Sequence, residues 1–382
     1  MKVWYLLDSL AGGGAEYSTA RLAPAVRDLG VDTCVVTLRP APGDANEAHL
    51  RAAAVDHRVL EATSHAGRVR ELRKMLRAQR PDVLHTAIFT ADQVGRVAAW
   101  GTRTRVVSSL ISVPWRVRRD MDDGPAGIRY RMVIAADAVT SHLAVDHFHA
   151  VCAGVAAMWT SALHLPADKV TVVERGRDRA ELGARTPDRR AAVRARLGVH
   201  PEAPVVLAVG RQQPQKGHAV LIDAAVVLAD THPDLVVLVA GGEGTETPRL
   251  QSMAADPRLA GRVHLLGHRT DVADLLAAAD VMALPSRVEG TAGVALEAMG
   301  VGTPIVSSRL DGLEGILVDG YNALLVPPGD PHALAKALAR VLDDPALAAE
   351  LATAGAREFE RRFTLARSAA AMVALYRHTL AG

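Results

Sequence analysis

The residues with the clearest chemical potential lie at positions 285–306, PSRVEGTAGVALEAMGVGTPIV. Glu289 and Glu297 stand eight positions apart there, with Gly290 and Gly293 between them. A helix N-terminus offers unpaired N–H groups and a partial positive charge, so a glycine loop that admits close backbone approach makes a seat for phosphate. Carboxylates on either side of that seat accept hydrogen bonds from hydroxyls. The pattern points to a ligand carrying both groups; a solvated acidic loop beside an unrelated helix glutamate is the other reading of the same residues.

The elements that must position these groups surround them. VMALPS, 281–286, reads as a buried strand stopping at a turn, and from about Thr291 the residues Val294, Leu296, Ala298 and Met299 suit a short buried helix closed by Gly300 and Gly302. Glu289 then falls in the loop and Glu297 about two turns inside the helix. VVLAVG, LVVLVAGG and RVHLLG upstream alternate with helical stretches, as KVWYLL, DTCVVT, RPDVLH, RVVSSL, DHFHAV and VTVV do in the first half. Such alternation implies α/β structure with parallel, doubly wound sheets.

Glu, seven residues, Glu, followed by Gly302-Thr303-Pro304, resembles the retaining nucleotide-sugar glycosyltransferases of family 4, which have the two-domain GT-B type. The resemblance implies two Rossmann-like domains facing each other across a cleft, the second holding a nucleotide-sugar donor, with UDP-sugars ahead of GDP- or ADP-sugars. It implies that Glu289 reads sugar hydroxyls and Glu297 the nucleotide ribose, with Gly290, Thr291, Ala292, Gly293 and Val294 lining the seat. Gly210-Arg211 and Lys216-Gly217 match the family's diphosphate pair in a strand-to-helix loop. Departure of a nucleoside diphosphate builds negative charge, and two fixed cations beside a helix N-terminus meet it without a metal; structural salt bridges are the alternative. His268 and Arg269 of GHRTD fall where the family contacts the base, largely through backbone. Gly13 and Gly14 match the loop that covers the donor, with tight-turn glycines as the alternative. A dinucleotide fingerprint fails there because its third glycine falls at Tyr17. The resemblance thus assigns catalysis to Arg211, Lys216 and Glu289, transfer to an acceptor hydroxyl with retention, and no cofactor or metal. A sugar-nucleotide epimerase of the same fold and a non-catalytic nucleotide-sugar-binding protein stay open beside it.

On the acceptor side the resemblance points to His85, Ser109, Ser112 and Arg175, the acceptor itself being a sugar, a lipid-linked molecule or a small molecule. A hydrogen-bonded structural role for His85 competes with a ligand-facing one. Where many members carry a histidine near the donor sugar this chain has Ile111, and Glu174-Arg175-Gly176 replaces the usual Pro-Asn-Gly. Asp120 and Asp122 follow two arginines and read as a charged loop rather than a metal site. His142 belongs to a different segment from His147 and His149, and Cys152 reads as packing.

At 382 residues the chain exceeds one core, and the composition marks four spans: a first domain at 1–176, a linker at 177–203, a donor domain at 204–362, and a helix at 363–382 returning to the first domain. Basic and acidic residues nearly cancel, 44 against 42, which removes any whole-chain argument for nucleic acid. Cys34 and Cys152 have no ligand-like spacing. No signal sequence or membrane span is read, so the expectation is a cytoplasmic protein. Arg68, Arg70, Arg73, Lys74, Arg77 and Arg80 on one helix, with the loop at 115–119, would add peripheral contact with an anionic membrane at its inner face; a merely solvated face is the alternative.

Overall fold

The computed structural model describes residues 1–112 and 128–382, so Asp120, Asp122 and the loop at 115–119 lie outside the described residues. The chain divides into two compact units, Met1–Gly176 with Thr364–Gly382, and Arg177–Phe363.

In the first unit the strands are β1 (Lys2–Leu7), β2 (Asp32–Thr37), β3 (Asp56–Val59), β4 (Val83–Ala87), β5 (Arg105–Leu110), β6 (His147–Ala150) and β7 (Val170–Val172). They form a parallel sheet in the order β3-β2-β1-β4-β5-β6-β7. Val3 to Leu7 are all buried, because helices cover both faces of a parallel sheet and leave no side for polar residues. The helices Gly14–Arg27 and Leu365–Ala381 pack together on this core, contributing Ala20, Ala23 and Val26 from one and Met372, Val373 and Tyr376 from the other.

The second unit holds β8 (Val205–Val209), β9 (Val236–Ala240), β10 (Val263–Gly267), β11 (Val281–Leu284), β12 (Ile305–Ser308) and β13 (Leu324–Val326), parallel in the order β10-β9-β8-β11-β12-β13. Strand order reverses beside the first strand of each sheet, between β1 and β4 and between β8 and β11. Loops leaving the carboxyl ends of such a pair diverge to opposite faces and open a crevice where ligands bind.

The span 177–203 is not a linker. It folds into the helices Arg179–Leu182 and Pro187–Leu197 as part of the second unit, the longer one capped by Thr186, which accepts from the Arg189 N–H, and ended at Gly198 with φ 67°. Two of its arginines point inward. Arg185 donates to the carbonyls of Ala277 and Ala279, and the fully buried Arg194 donates to those of Ala278, Pro201 and Ala203 and to the Asp280 carboxylate. The carbonyls of Ala277, Ala278 and Ala279 lie at the C-terminal end of the helix Val272–Ala278, where orphan acceptors and the negative dipole end draw guanidinium groups. A charge-rich sequence that looks solvated is thereby part of the packing.

Candidate active site

The second unit's site is built from the loops that leave β8 and β11. The β8 loop makes a short 3₁₀ turn, Pro214–Lys216, and enters the helix His218–Leu228 at Gly217. Gly217 has φ 65°, and a Cβ there would lie 2.0 Å from the Pro285 carbonyl oxygen, so a side chain is excluded both by conformation and by space. The Arg287 N–H donates to the Gln215 carbonyl, which clasps the two loops together a few residues from the glycine.

This clasp brings Lys216 and Glu289 into contact. Lys216 Nζ donates to Glu289 Oε1 at 2.6 Å, and Ser286 Oγ donates to the same oxygen at 2.8 Å. The carboxylate is buried whereas the ammonium keeps about a quarter of its surface exposed. Two residues that the resemblance assigned to separate parts of a ligand thus form one ion pair. Arg211 is exposed and has no side-chain hydrogen bond or ion pair among the described residues. Beneath the loop, His218 Nε2–H donates to the Gly210 carbonyl at 2.9 Å while Nδ1 is buried without a partner. Burial, with Lys216 adding to it, lowers the His218 pKa and favours the neutral ring.

The helix after β11 is Gly293–Val301, with Ala292 as its N-cap and no side chain capping it. Glu297 therefore lies about one turn inside the helix, not two, because helical geometry begins at Gly293, two positions after Thr291. Gly290, Thr291 and Ala292 form the approach and Val294 is half-buried in the first turn. Gly312, from the 3₁₀ turn Asp311–Leu313, backs the loop so closely that a Cβ would meet the Glu289 carbonyl oxygen at 1.9 Å. Glu297 has an unforeseen partner: Arg177 Nε donates to its Oε1 at 2.8 Å, and Arg177 Nη2 occupies the space where a Cβ on Gly293 would stand. No local signal ties position 177 to position 297, and the arginine sits in the span first read as linker. At the end of β10, His268 is exposed and the Arg269 guanidinium is committed to Asp271 through bonds of 2.8 and 2.6 Å.

In the first unit, Gly13 is the N-cap of the helix Gly14–Arg27, and the Glu16 carboxylate folds back over the space a Cβ on Gly13 would take. Arg175 Nη1 lies 3.7 Å from the place a Cβ on Gly14 would take, so the glycine loop and Arg175 are neighbours. His85 and Ser109, expected on the acceptor side, belong to a buried hydrogen-bonded series. His85 Nδ1 is 2.6 Å from the Tyr376 hydroxyl and Nε2 is 2.7 Å from Ser109 Oγ, which is 2.8 Å from His149 Nδ1; His149 Nε2 donates to the Val173 carbonyl at 2.9 Å. Because that carbonyl only accepts, neutral His149 carries its proton on Nε2 and accepts at Nδ1 from Ser109, which in turn accepts from His85. Every ring nitrogen is engaged, and the side chains line a cavity of about 40 Å³ together with Arg175. Ser112 is exposed and its carbonyl accepts from Trp159 Nε1. A larger cleft, about 490 Å³, opens beyond the ends of β1, β2 and β3, lined by Ser9, Leu38, Arg39, Leu60, Thr63 and Arg68.

Of the basic helix, His65–Gln79, Arg73 is turned to the carbonyls of Val97 and Ala98 and Arg68 to that of Ala62, whereas Arg70, Lys74 and Arg77 are exposed. No described helix is long and apolar enough to cross a membrane. Among the described residues no cluster of three metal-ligating side chains occurs: His142 bonds the Leu163 carbonyl and His147 the Thr171 hydroxyl. Cys152 caps the helix Ala153–Leu163, its sulfur accepting from the Val155 N–H.

Residues 12–181 match the family described as Glycosyltransferase Family 4, and residues 189–358 that described as Glycosyl transferases group 1. The D-inositol 3-phosphate glycosyltransferase of Acidothermus cellulolyticus is 33% identical over 319 residues, covering 78% of this chain and 68% of that protein. The protein of the same name from Saccharomonospora viridis is 40% identical over 205 residues, 51% of this chain, and the match spans about half of that relative, 47%. Among solved structures, Anabaena HepE in complex with UDP superposes with a TM-score of 0.85 at 23% identity, over 99% of this chain and 100% of that one.

Proposed function

The chain belongs to glycosyltransferase family 4, and from that premise we propose that it transfers a sugar from a UDP-sugar to a hydroxyl of a phosphorylated polyol, with retention of anomeric configuration. The observation that carries this reading is the Lys216–Glu289 pair, set beside Arg211 and two helix N-termini at the β8/β11 switch point. Such a site offers cations for a diphosphate and a buried acceptor for a sugar hydroxyl within one hydrogen bond of each other.

On donor binding the diphosphate takes the Lys216 ammonium and the Arg211 guanidinium, and Glu289, still held by Ser286, turns its charge to the sugar. The bond from the anomeric carbon to the diphosphate breaks while the acceptor oxygen bonds on the same face, its proton passing to a diphosphate oxygen. The leaving charge is met by fixed cations and helix ends, which supports turnover without a divalent metal. Glu297 accepts from the ribose. The structures of HepE with UDP and UDP-glucose support the choice of base, and the name shared by the sequence relatives supports an inositol phosphate acceptor. The cleft beyond β1–β3, lined by the Ser9 and Thr63 hydroxyls, Glu61, Arg68 and the Asp8-paired Arg39, offers hydrogen-bonding groups for such a molecule.

The test is UDP release from UDP-glucose, UDP-N-acetylglucosamine and UDP-galactose, with and without D-inositol 3-phosphate, in EDTA. Acceptor-dependent release that survives the chelator is the expected result. Donor consumption without acceptor would favour the epimerase reading, and strict dependence on added magnesium or manganese would remove the metal-free mechanism.

A further inference from the structure

Arg177 enters the donor site from behind. Its backbone N–H is anchored on the Phe363 carbonyl at 2.9 Å, and its side chain, 3% exposed, runs into the bay left by Gly293 to reach Glu297 Oε1. Glu297 is the more open partner, 16% exposed, so a ligand arriving from solvent meets the carboxylate and not the guanidinium. Burying a guanidinium is costly, and a buried pair is a weak source of net stability even when well formed. What the pair does supply is direction. With Oε1 taken by a charge-assisted bond, the carboxylate loses its freedom to rotate, and Oε2 has no hydrogen-bond partner among the described residues. A fixed, acceptor-only oxygen beside an anion seat is complementary to the vicinal hydroxyls of a ribose joined to a diphosphate.

We infer that Arg177 is a positioning residue that makes the site selective for ribonucleotide over deoxyribonucleotide donors, by holding Glu297 in the orientation that accepts from the 2′-hydroxyl. This rests on the assignment of Glu297 to the ribose. A role confined to packing would move the affinities for the two sugars together; a positioning role moves their ratio.

Calorimetry with UDP and 2′-deoxy-UDP on the full chain separates these cases. The unaltered protein is expected to favour UDP about tenfold or more, the range for one hydrogen bond to a charged group. Arg177→Met and Glu297→Gln should both bring the ratio close to one, and Arg177→Lys, which keeps the charge without the fork, should restore part of it. Should Arg177→Met fail to fold, the double variant Arg177→Met/Glu297→Gln, which leaves no orphaned charge, and Arg177→Lys carry the measurement. A ratio in Arg177→Lys and Arg177→Met equal to that of the unaltered protein overturns the inference alone. No preference in the unaltered protein, or a preference that Glu297→Gln leaves intact, overturns the ribose assignment with it, and no binding of UDP, GDP or ADP overturns the functional reading itself.

Discussion

On the proposed function, the Lys216–Glu289 pair gives one carboxylate two duties, holding a cation before the donor arrives and reading the sugar afterwards. Glu289→Gln keeps the shape and the bond from Ser286 while removing the charge that both duties use. Transfer should fall by roughly ten- to a hundredfold, as for loss of a hydrogen bond to a charged group, while UDP affinity holds or rises because Lys216 is no longer drawn away from the diphosphate. Steady-state rates set against calorimetry with UDP read both numbers; a variant that loses UDP affinity and keeps its rate would reverse the assignment. The pair was hidden in the sequence because 73 positions separate its members. Their types were legible, and their contact was a property of the β8/β11 switch point.

At the scale of elements, the series Tyr376–His85–Ser109–His149 ties the helix Leu365–Ala381 to β4, β5 and β6 through groups that work only when both imidazoles are neutral. Burial holds the His85 pKa well below its usual value and brings that of His149 to about 4. An unfolded chain binds these protons near pH 6.5 and the folded one resists them, so stability is complete above pH 6.5 and declines as pH falls toward 4, with His149 alone accounting for on the order of 3 kcal/mol below that point. Thermal melts from pH 7.5 to 4.5 should show this slope, and His149→Gln should flatten it although the variant is less stable at pH 7.5. An unchanged slope would place the titration elsewhere. The central strands were plain in the sequence, since runs such as Val3–Leu7 and Val236–Ala240 are apolar throughout. β3 and β13 were not, because DHRV is a half-exposed edge strand without a hydrophobic run, and LLV is three residues long. Histidines in strands carried an ambiguous signal, and only the third dimension showed His85 bonded on both nitrogens.

Across the whole molecule, the first unit is discontinuous and the second is a single run of chain. A chain ended after Phe363 should keep a protease-resistant second unit and lose cooperative unfolding of the first. The missing helix would strip Met372, Val373 and Tyr376 from its core, at about 1.5–3 kcal/mol for each large side chain. Hydrogen exchange resolved by peptide distinguishes this from uniform weakening, and full protection of β1 and β4 in the shortened chain would show the helix to be dispensable. The same discontinuity bears on how the protein is made. Tyr5 and Tyr376 lie 371 positions apart and share a hydrogen bond in the finished core. Between the emergence of Gly176 and that of Tyr376 the ribosome adds 376 − 176 = 200 residues, roughly 10 to 40 s at about 5–20 residues per second. Throughout that interval the nascent first unit carries an open groove over β1, with His85 short of its tyrosine, and a contiguous second unit can fold before its predecessor in the sequence is able to close.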